Sequence, residues 1–380
     1  MTPASGPPAD IGDAFRSLLG RLEAMADTVD RASADPVERA EGYRHLTRLF
    51  SACQEWFVEK SDAERPAFTR VMTPWRKFIG DNPDTIYDVA PVSATTSYRL
   101  RGEINDASYL GLTVYGRDAD GAITLLARIA DDEFVADDGT FDLAVGGDDP
   151  GDGPWLAVPD GAESLWVRQY FSDLAEERAA TYELRSVDPP GPSDPVGEER
   201  VAAAFARIEG FMADTLDAVT TVSRMMAGSP NAPLMAGAEF AVGENDDDGS
   251  NVLESILLKL ARTSYPTPDN RYAGVWFDLG PDEALVVTGT PPPNARYWGV
   301  QLANRWQESL DYREHRVCLN DHQIELEADG TYRIVVSAAD PGGGNWLDTA
   351  GHRAGMVNVR ALLADGLDDP SFEVVPAGVA

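Results

Sequence analysis

Cysteine, histidine and lysine are all scarce in this chain of 380 residues. Two cysteines, Cys53 and Cys318, cannot build a disulfide framework, so a reducing compartment is expected. The four histidines, His45, His315, His322 and His352, form no HExxH pair and no zinc-spaced set with the cysteines. Neither a catalytic zinc nor a haem is expected, and no organic cofactor. There is no GxSxG elbow, no Walker A loop and no Rossmann GxGxxG, and "PGGGN" at Pro341–Asn345 has no helical pattern after it and reads as a turn. No apolar run approaches the roughly 18 residues of a membrane span. The opening "MTPASGPPAD" lacks the basic and apolar regions of a signal peptide, so none is expected.

Acid is what the chain has in excess. Asp and Glu number 64 against 31 Lys and Arg, for a formal net charge of -33 and a pI near 4.3. Such a surface repels phosphate backbones and anionic lipid heads, which argues against nucleic-acid and membrane partners. The basic residues are nearly all Arg, as a GC-rich genome would give; a salty cytoplasm is the other source of such a balance. With 43% hydrophobic residues the chain can bury a sizeable core, and its length suggests two to three domains. A cytoplasmic protein with a small-molecule ligand is expected, with a homo-oligomer left open.

Apolar residues recur at helical spacing early on. Phe15, Leu18, Leu19, Leu22 and Met25 make one stripe; Tyr43, Leu46, Leu49, Phe50, Cys53 and Phe57 make another, with Asp35 and Pro36 at its start. From about Thr85 the pattern turns to short alternating runs split by turn signals. A linker, "PPGPSDP", covers 189–195. Two helical stretches follow, at 198–226 and 250–262, and alternating runs return from Arg271.

The strand-rich part occurs twice. "DDGTFDLAVGGDDPGDGPW", ending at Trp155, and "ADGTYRIVVSAADPGGGNW", ending at Trp346, are versions of one phrase. The match is collinear on both sides: Asp84 and Tyr87 with Asp269 and Tyr272, Tyr109 and Gly111 with Tyr297 and Gly299, Arg168 with Arg360. The expected fold is α+β and β-rich, with two duplicated, antiparallel, β-sandwich-like (jelly-roll-like) modules, each preceded by accessory helices. The expected division is a flexible terminus over 1–10, a first unit over 11–188, the linker, and a second unit over 196–380.

"DNPDTIY", "PDNRYAGVWFDL", "ARYWGVQLANRW" and "GNWLDTAGHRAG" resemble the bacterial family with paired domains of unknown function 1254 and 1214. The resemblance runs from about Tyr43 to Leu363 and is best in the C-terminal half. It implies a β-rich two-module protein with accessory helices, and it implies no activity.

Three places in the sequence are candidates for chemistry. Asp246, Asp248 and Glu254 lie in the acidic "ENDDDGSNVLES". They offer a partial EF-hand, or the spacing of a magnesium site for terpene-type chemistry, against the alternative of a solvated loop capping a helix. The residues kept in both copies, with the second copy's Asn270, Arg271 and Gln301 beside them, are the second set. Asp84, Tyr87, Arg168, Asp269, Asn270, Arg271, Tyr272, Tyr297, Gln301 and Arg360 read either as pocket groups able to grip an anionic substrate, or as buried bonds holding strand edges. The third is where the copies differ: the second has "NRWQESLDYREHR" at 304–316, rich in aromatic and charged groups. As a ligand rim it would offer His315 or His352 as a base, Tyr312 as an acid, Arg305 for developing negative charge, and Trp306 and Arg313 as substrate contacts. As a contact between modules or subunits it would need the same residue types. His45, Cys53, Trp298 and Trp346 read as structural.

Three functions are therefore open. The first is an enzyme without organic cofactor doing lyase, isomerase or hydrolase chemistry on a partly apolar metabolite between the modules. The second is a non-enzymatic binder of carbohydrate or lipid. The third is a partner-binding protein.

Overall fold

Helices start where the sequence supplies caps. The Asp10 carboxylate accepts from the backbone of Gly12 and Asp13 to open α1 (Ile11–Ala32), and Asp35 does the same for Val37 and Glu38 at the head of α2 (Pro36–Cys53). Helix α2 runs on into a π-helical turn, Gln54–Glu59. The computed structural model describes residues 10–119, 121–193, 195–232 and 264–379. Positions 1–9 of the terminus expected to be flexible, the acidic stretch with Asp246, Asp248 and Glu254, and the helix expected over 250–262 lie outside the described residues.

The first half holds β1 (Thr69–Arg70), β2 (Thr85–Pro91), β3 (Tyr98–Glu103), β4 (Tyr109–Arg117) and β5 (Ile123–Ala130). A short α3 (Asp131–Phe134) follows, then β6 (Thr140–Val145), β7 (Trp155–Leu156), β8 (Ala162–Tyr170) and β9 (Thr181–Ser186). Helix α4 (Glu198–Ala227) leads to the second half. There β10 (Asn270–Asp278), β11 (Glu283–Gly289), β12 (Tyr297–Ala303), β13 (Cys318–Asn320) and β14 (Tyr332–Ser337) precede β15 (Trp346–Asp348), β16 (Ala354–Leu362) and β17 (Ser371–Pro376).

Each half is two sheets. One pair has the orders β1-β2-β8-β4-β5 and β7-β6-β3-β9; the other has β10-β16-β12-β13 and β15-β14-β11-β17. The halves repeat each other to the residue. Tyr87 pairs with Arg168, which pairs with Gly111; Tyr272 pairs with Arg360, which pairs with Gly299. The repeated Tyr-x-Gly has a steric reason: each tyrosine ring folds over the glycine two residues on. A Cβ on Gly111 would lie 2.3 Å from the Tyr109 hydroxyl, and one on Gly299 would lie 2.8 Å from that of Tyr297. Among the described residues only two pairings are parallel, β6 with β7 and β14 with β15, again at equivalent places. The Trp155 indole donates to the Gly146 carbonyl and the Trp346 indole to that of Ser337, at 3.1 and 3.2 Å. The turns before β6 and β14 use Asp138 with Thr140 and Asp329 with Thr331, around Gly139 and Gly330 at positive φ.

Within each half the two sheets close on one core. Leu110, Leu112 and Val114 of β4 face Leu100, Leu143 and Leu184, while Val300 and Leu302 of β12 face Val287, Ile334 and Val336. The other face of β4 is also buried, with Tyr109, Thr113 and Tyr115 hardly exposed. It is covered by the second half and by a helical layer. In that layer α4 lies along α1 and α2, and Ile208, Met212 and Leu216 share a cluster with Leu18, Leu49, Trp56, Trp166 and Trp306. The far end of α4 reaches the second half, where Val222 and Met226 pack on Trp276. No helix among the described residues is long and apolar enough to cross a membrane.

Candidate functional site

Where the two halves and the end of α4 meet, they line a cavity of about 230 Å³. Its polar wall comes from the central strands. Arg168 on β8 and Arg360 on β16 occupy the same register in their sheets, and Tyr87 and Tyr272 sit beside them. Tyr170, Asn270 and Asn358 complete it. Ser264, Thr267 and Gln307 also line the cavity, and most of the rest is apolar: Met72, Phe78, Val219, Val222, Met226 and Met356 among others.

The halves reach across to each other in kind. The Tyr109 hydroxyl donates to Asp269 at 2.8 Å, and the Tyr297 hydroxyl donates to Asp84 at 2.9 Å. Arg168 donates to the Tyr265 carbonyl and Arg360 to the Gly80 carbonyl, each four residues before the repeated Asp of the opposite half. These reciprocal bonds define a pseudo-two-fold axis, and both arginines are placed by it. Around the axis the two sides differ. Asp269 is also held by Arg128 at 3.0 Å, whereas Asp84 has only the Asn320 amide at 3.2 Å and the Cys318 thiol at 3.6 Å. Burial therefore pushes the Asp84 carboxyl above its ordinary range, against the bonds from Tyr297 and Asn320.

The charges of the cavity are one-sided. Arg168 bonds Thr113 at 2.7 Å and Tyr115 at 3.2 Å through their hydroxyls, and lies over the Trp166 ring. Arg360 bonds the Tyr87 hydroxyl at 3.2 Å and lies over the Tyr272 ring. Both are buried, and neither meets a carboxylate among the described residues; no Asp or Glu is in the described lining. Burial works against the Arg360 charge, but the oxygens of Tyr87, Tyr272, Tyr170 and Tyr297 outweigh it and hold its pKa well above the ordinary value. Burial likewise opposes the Arg168 charge, and Tyr115, Tyr170 and Tyr87 more than offset it. Tyr87 and Tyr170 themselves are pushed up, by burial first, and stand as neutral hydroxyl donors at neutral pH. The Arg360 Nε and the Trp166 indole N–H are buried with no acceptor among the described residues. An unpaired buried ion costs several kcal/mol, so two in one cavity call for a compensating group.

Of the residues singled out from the sequence, Tyr87, Arg168, Asn270, Tyr272 and Arg360 line the cavity. Asp269, Tyr297 and Gln301 lie in the interface between halves, Gln301 donating to the Asp81 carbonyl at 2.6 Å. Arg271 turns to the Ala364 carbonyl at 3.1 Å. The 304–316 loop is not brought to the cavity lining by the residues expected of it. Arg305 pairs with Glu38 at 2.7 Å, and the Trp306 indole donates to the Glu38 carbonyl at 2.9 Å from a fully buried position. Lys77 sits 4.2 Å above the Tyr312 ring, Arg313 pairs with Asp311, and His315 at the surface pairs with Asp348 at 2.7 Å. His352 lies between Glu41 and the Thr349 carbonyl. Glu308 joins His45 and Arg48 in a buried bond network with α2. Among the described residues no cluster of three or more His, Cys, Asp or Glu is arranged to hold a metal ion. Trp166, Tyr170 and Asn358 escaped sequence reasoning; their only signal is position, two residues before or after a repeated arginine.

Residues 263–365 match the family model described as Protein of unknown function (DUF1214), so the C-terminal half carries that domain. A crystal structure of an uncharacterized protein from Burkholderia cenocepacia is similar over both halves, at 27% identity and a TM-score of 0.87, covering 97% of this chain and 98% of that one. A protein from Vibrio parahaemolyticus, at 12% identity, a TM-score of 0.51, and coverage of 88% and 98%, shares the fold. No curated protein matches the chain.

Proposed function

We propose that the protein binds a partly apolar small molecule in the cavity between its halves. The observation that carries this reading is the composition of that cavity: a largely apolar wall with a few convergent polar groups set by the two central strands, the usual make-up of a small-molecule site. The predominance of Met, Val and Phe favours a lipid-like or aromatic guest over a carbohydrate. In this reading Arg305, Tyr312, His315 and His352 serve the packing of the 304–316 loop and its neighbours, and the first half is the 1254 counterpart of the 1214 domain, as the collinear repeat suggests.

A second reading, acid–base catalysis without a cofactor, is favoured by one contact. The Arg360 guanidinium bonds the Tyr87 hydroxyl, which would make Tyr87 the proton donor to a bound substrate.

Binding is tested with the neutral fluorophore N-phenyl-1-naphthylamine. The wild-type protein is expected to enhance its emission. Val222→Phe, which fills the cavity from α4, is expected to abolish the enhancement while keeping the wild-type circular dichroism spectrum. No enhancement by the wild type, or equal enhancement by the folded variant, would place ligand binding elsewhere.

A further inference from the structure

We propose that the polar end of the ligand is an anion, a carboxylate or a phosphate monoester, held jointly by Arg168 and Arg360. This rests on the reading of the cavity as a small-molecule site and names the chemistry that site selects.

The chain has 64 acidic residues, more than twice its basic ones. Other arginines have carboxylate partners: buried Arg48 meets Glu308, Arg305 meets Glu38, and the more exposed Arg296 meets Asp131, while buried Lys77 donates to the Ser309 and Leu310 carbonyls. Arg168 and Arg360 have none among the described residues, although acid is abundant and both are buried. Their present partners are hydroxyls and backbone carbonyls, which aim the guanidinium forks and neutralise nothing. The Arg360 Nε still lacks an acceptor among the described residues. The two forks come from equivalent positions on opposite sides of the pseudo-axis, so one anionic group near that axis meets both halves at once. Guanidinium geometry suits a two-oxygen acceptor. Next to it the wall is apolar and rich in Met72, Met225, Met226 and Met356, side chains that adapt to an alkyl or aromatic tail. A free inorganic anion would leave that wall unused, and an organic cation would face two like charges.

Titration calorimetry on the full chain with four decyl probes tests this: decanoate, decyl phosphate, decanol and decyltrimethylammonium. At least one anion is expected to bind about tenfold or more tightly than decanol, and the cation not at all. The better of the two anions tells which acceptor the site prefers. Arg360→Met and Arg168→Met are each expected to weaken the anion by about tenfold or more and leave decanol unchanged. If decanol binds the wild type as well as either anion does, or a folded methionine variant keeps full anion affinity, the anion assignment is wrong and the cavity reading stands. Should the neutral fluorophore bind while neither anion does, the assignment is likewise overturned. If neither the fluorophore nor any decyl probe binds, the cavity reading itself fails and takes the assignment with it. The wild-type comparison decides even where a variant does not fold.

Discussion

His352 shows how one side chain ties a loop to a helix and makes stability depend on pH. The Thr349 carbonyl, 3.0 Å from Nδ1, can only accept, and the Glu41 carboxylate lies 3.1 Å from Nε2. Both contacts are satisfied together by the imidazolium. Burial opposes that charge, but the bond and field of Glu41 outweigh it, and the pKa is raised above the ordinary imidazole value. A raised folded-state pKa gives stability that is complete below the unfolded-state pKa and is lost as pH rises through the folded one. Comparing wild type with His352→Asn in urea, the loss is expected to be about 2 kcal/mol near pH 5 and to shrink towards pH 9. A gap that stays constant over that range would remove the charge from the account. At this scale the sequence misleads in an instructive way. Trp306 and Arg305 stand among charged residues and read as a ligand rim, yet the Trp306 ring covers Gly42 of α2, where a Cβ would come within 2.5 Å of it. The glycine that makes room for the ring lies far away in sequence, and nothing local announces it.

Elements were more legible, because period and turn chemistry are local. The helix caps at Asp35 and Pro36, the Asp-Gly-Thr turns and the alternation in β4 and β12 all follow from neighbouring residues. Aligning the two copies even fixed which tyrosine, glycine and arginine are equivalent, and the strand registers agree. What alternation does not reveal is what covers the second face of a strand. Tyr109, Thr113 and Tyr115 look like a solvent face with aromatic decoration; they are buried because another half and a helix lie over them. The exchanged Tyr–Asp bonds are the visible sign of that cover. Removing one hydroxyl, as in Tyr297→Phe, leaves the Asp84 carboxyl with one donor fewer in a half-buried place with no paired cation among the described residues. A cost of about 1–3 kcal/mol in unfolding free energy is expected. A loss well under that, measured by chemical denaturation, would show that Asn320 and Cys318 suffice.

For the whole molecule, composition sets the electrostatics and topology sets the cooperativity. A net charge of -33 on a chain of this size is self-repulsion that a folded state must contain. The melting temperature is therefore expected to rise when sodium chloride goes from about 10 mM to about 150 mM, where screening shortens to roughly 8 Å. A flat response would mean that the surface carboxylates are already neutralised by their neighbours. Topology was only half visible in advance. The repeat announces two sandwiches, but α4 looks from sequence like an accessory of the second, and in the fold its apolar face completes a cluster with α1, α2 and Trp166 of the first. The order of elements along the chain did not disclose that sharing, since helix packing depends on which stripes meet in space.

A cradle with true two-fold symmetry would accept a guest equally well either way round. Here the residue two places before each arginine has drifted apart in kind, an indole on one side at Trp166 and an amide on the other at Asn358, and both line the same cavity. That difference would lift the degeneracy: the guest proposed above, if unsymmetrical, would meet a different lining in each of its two orientations.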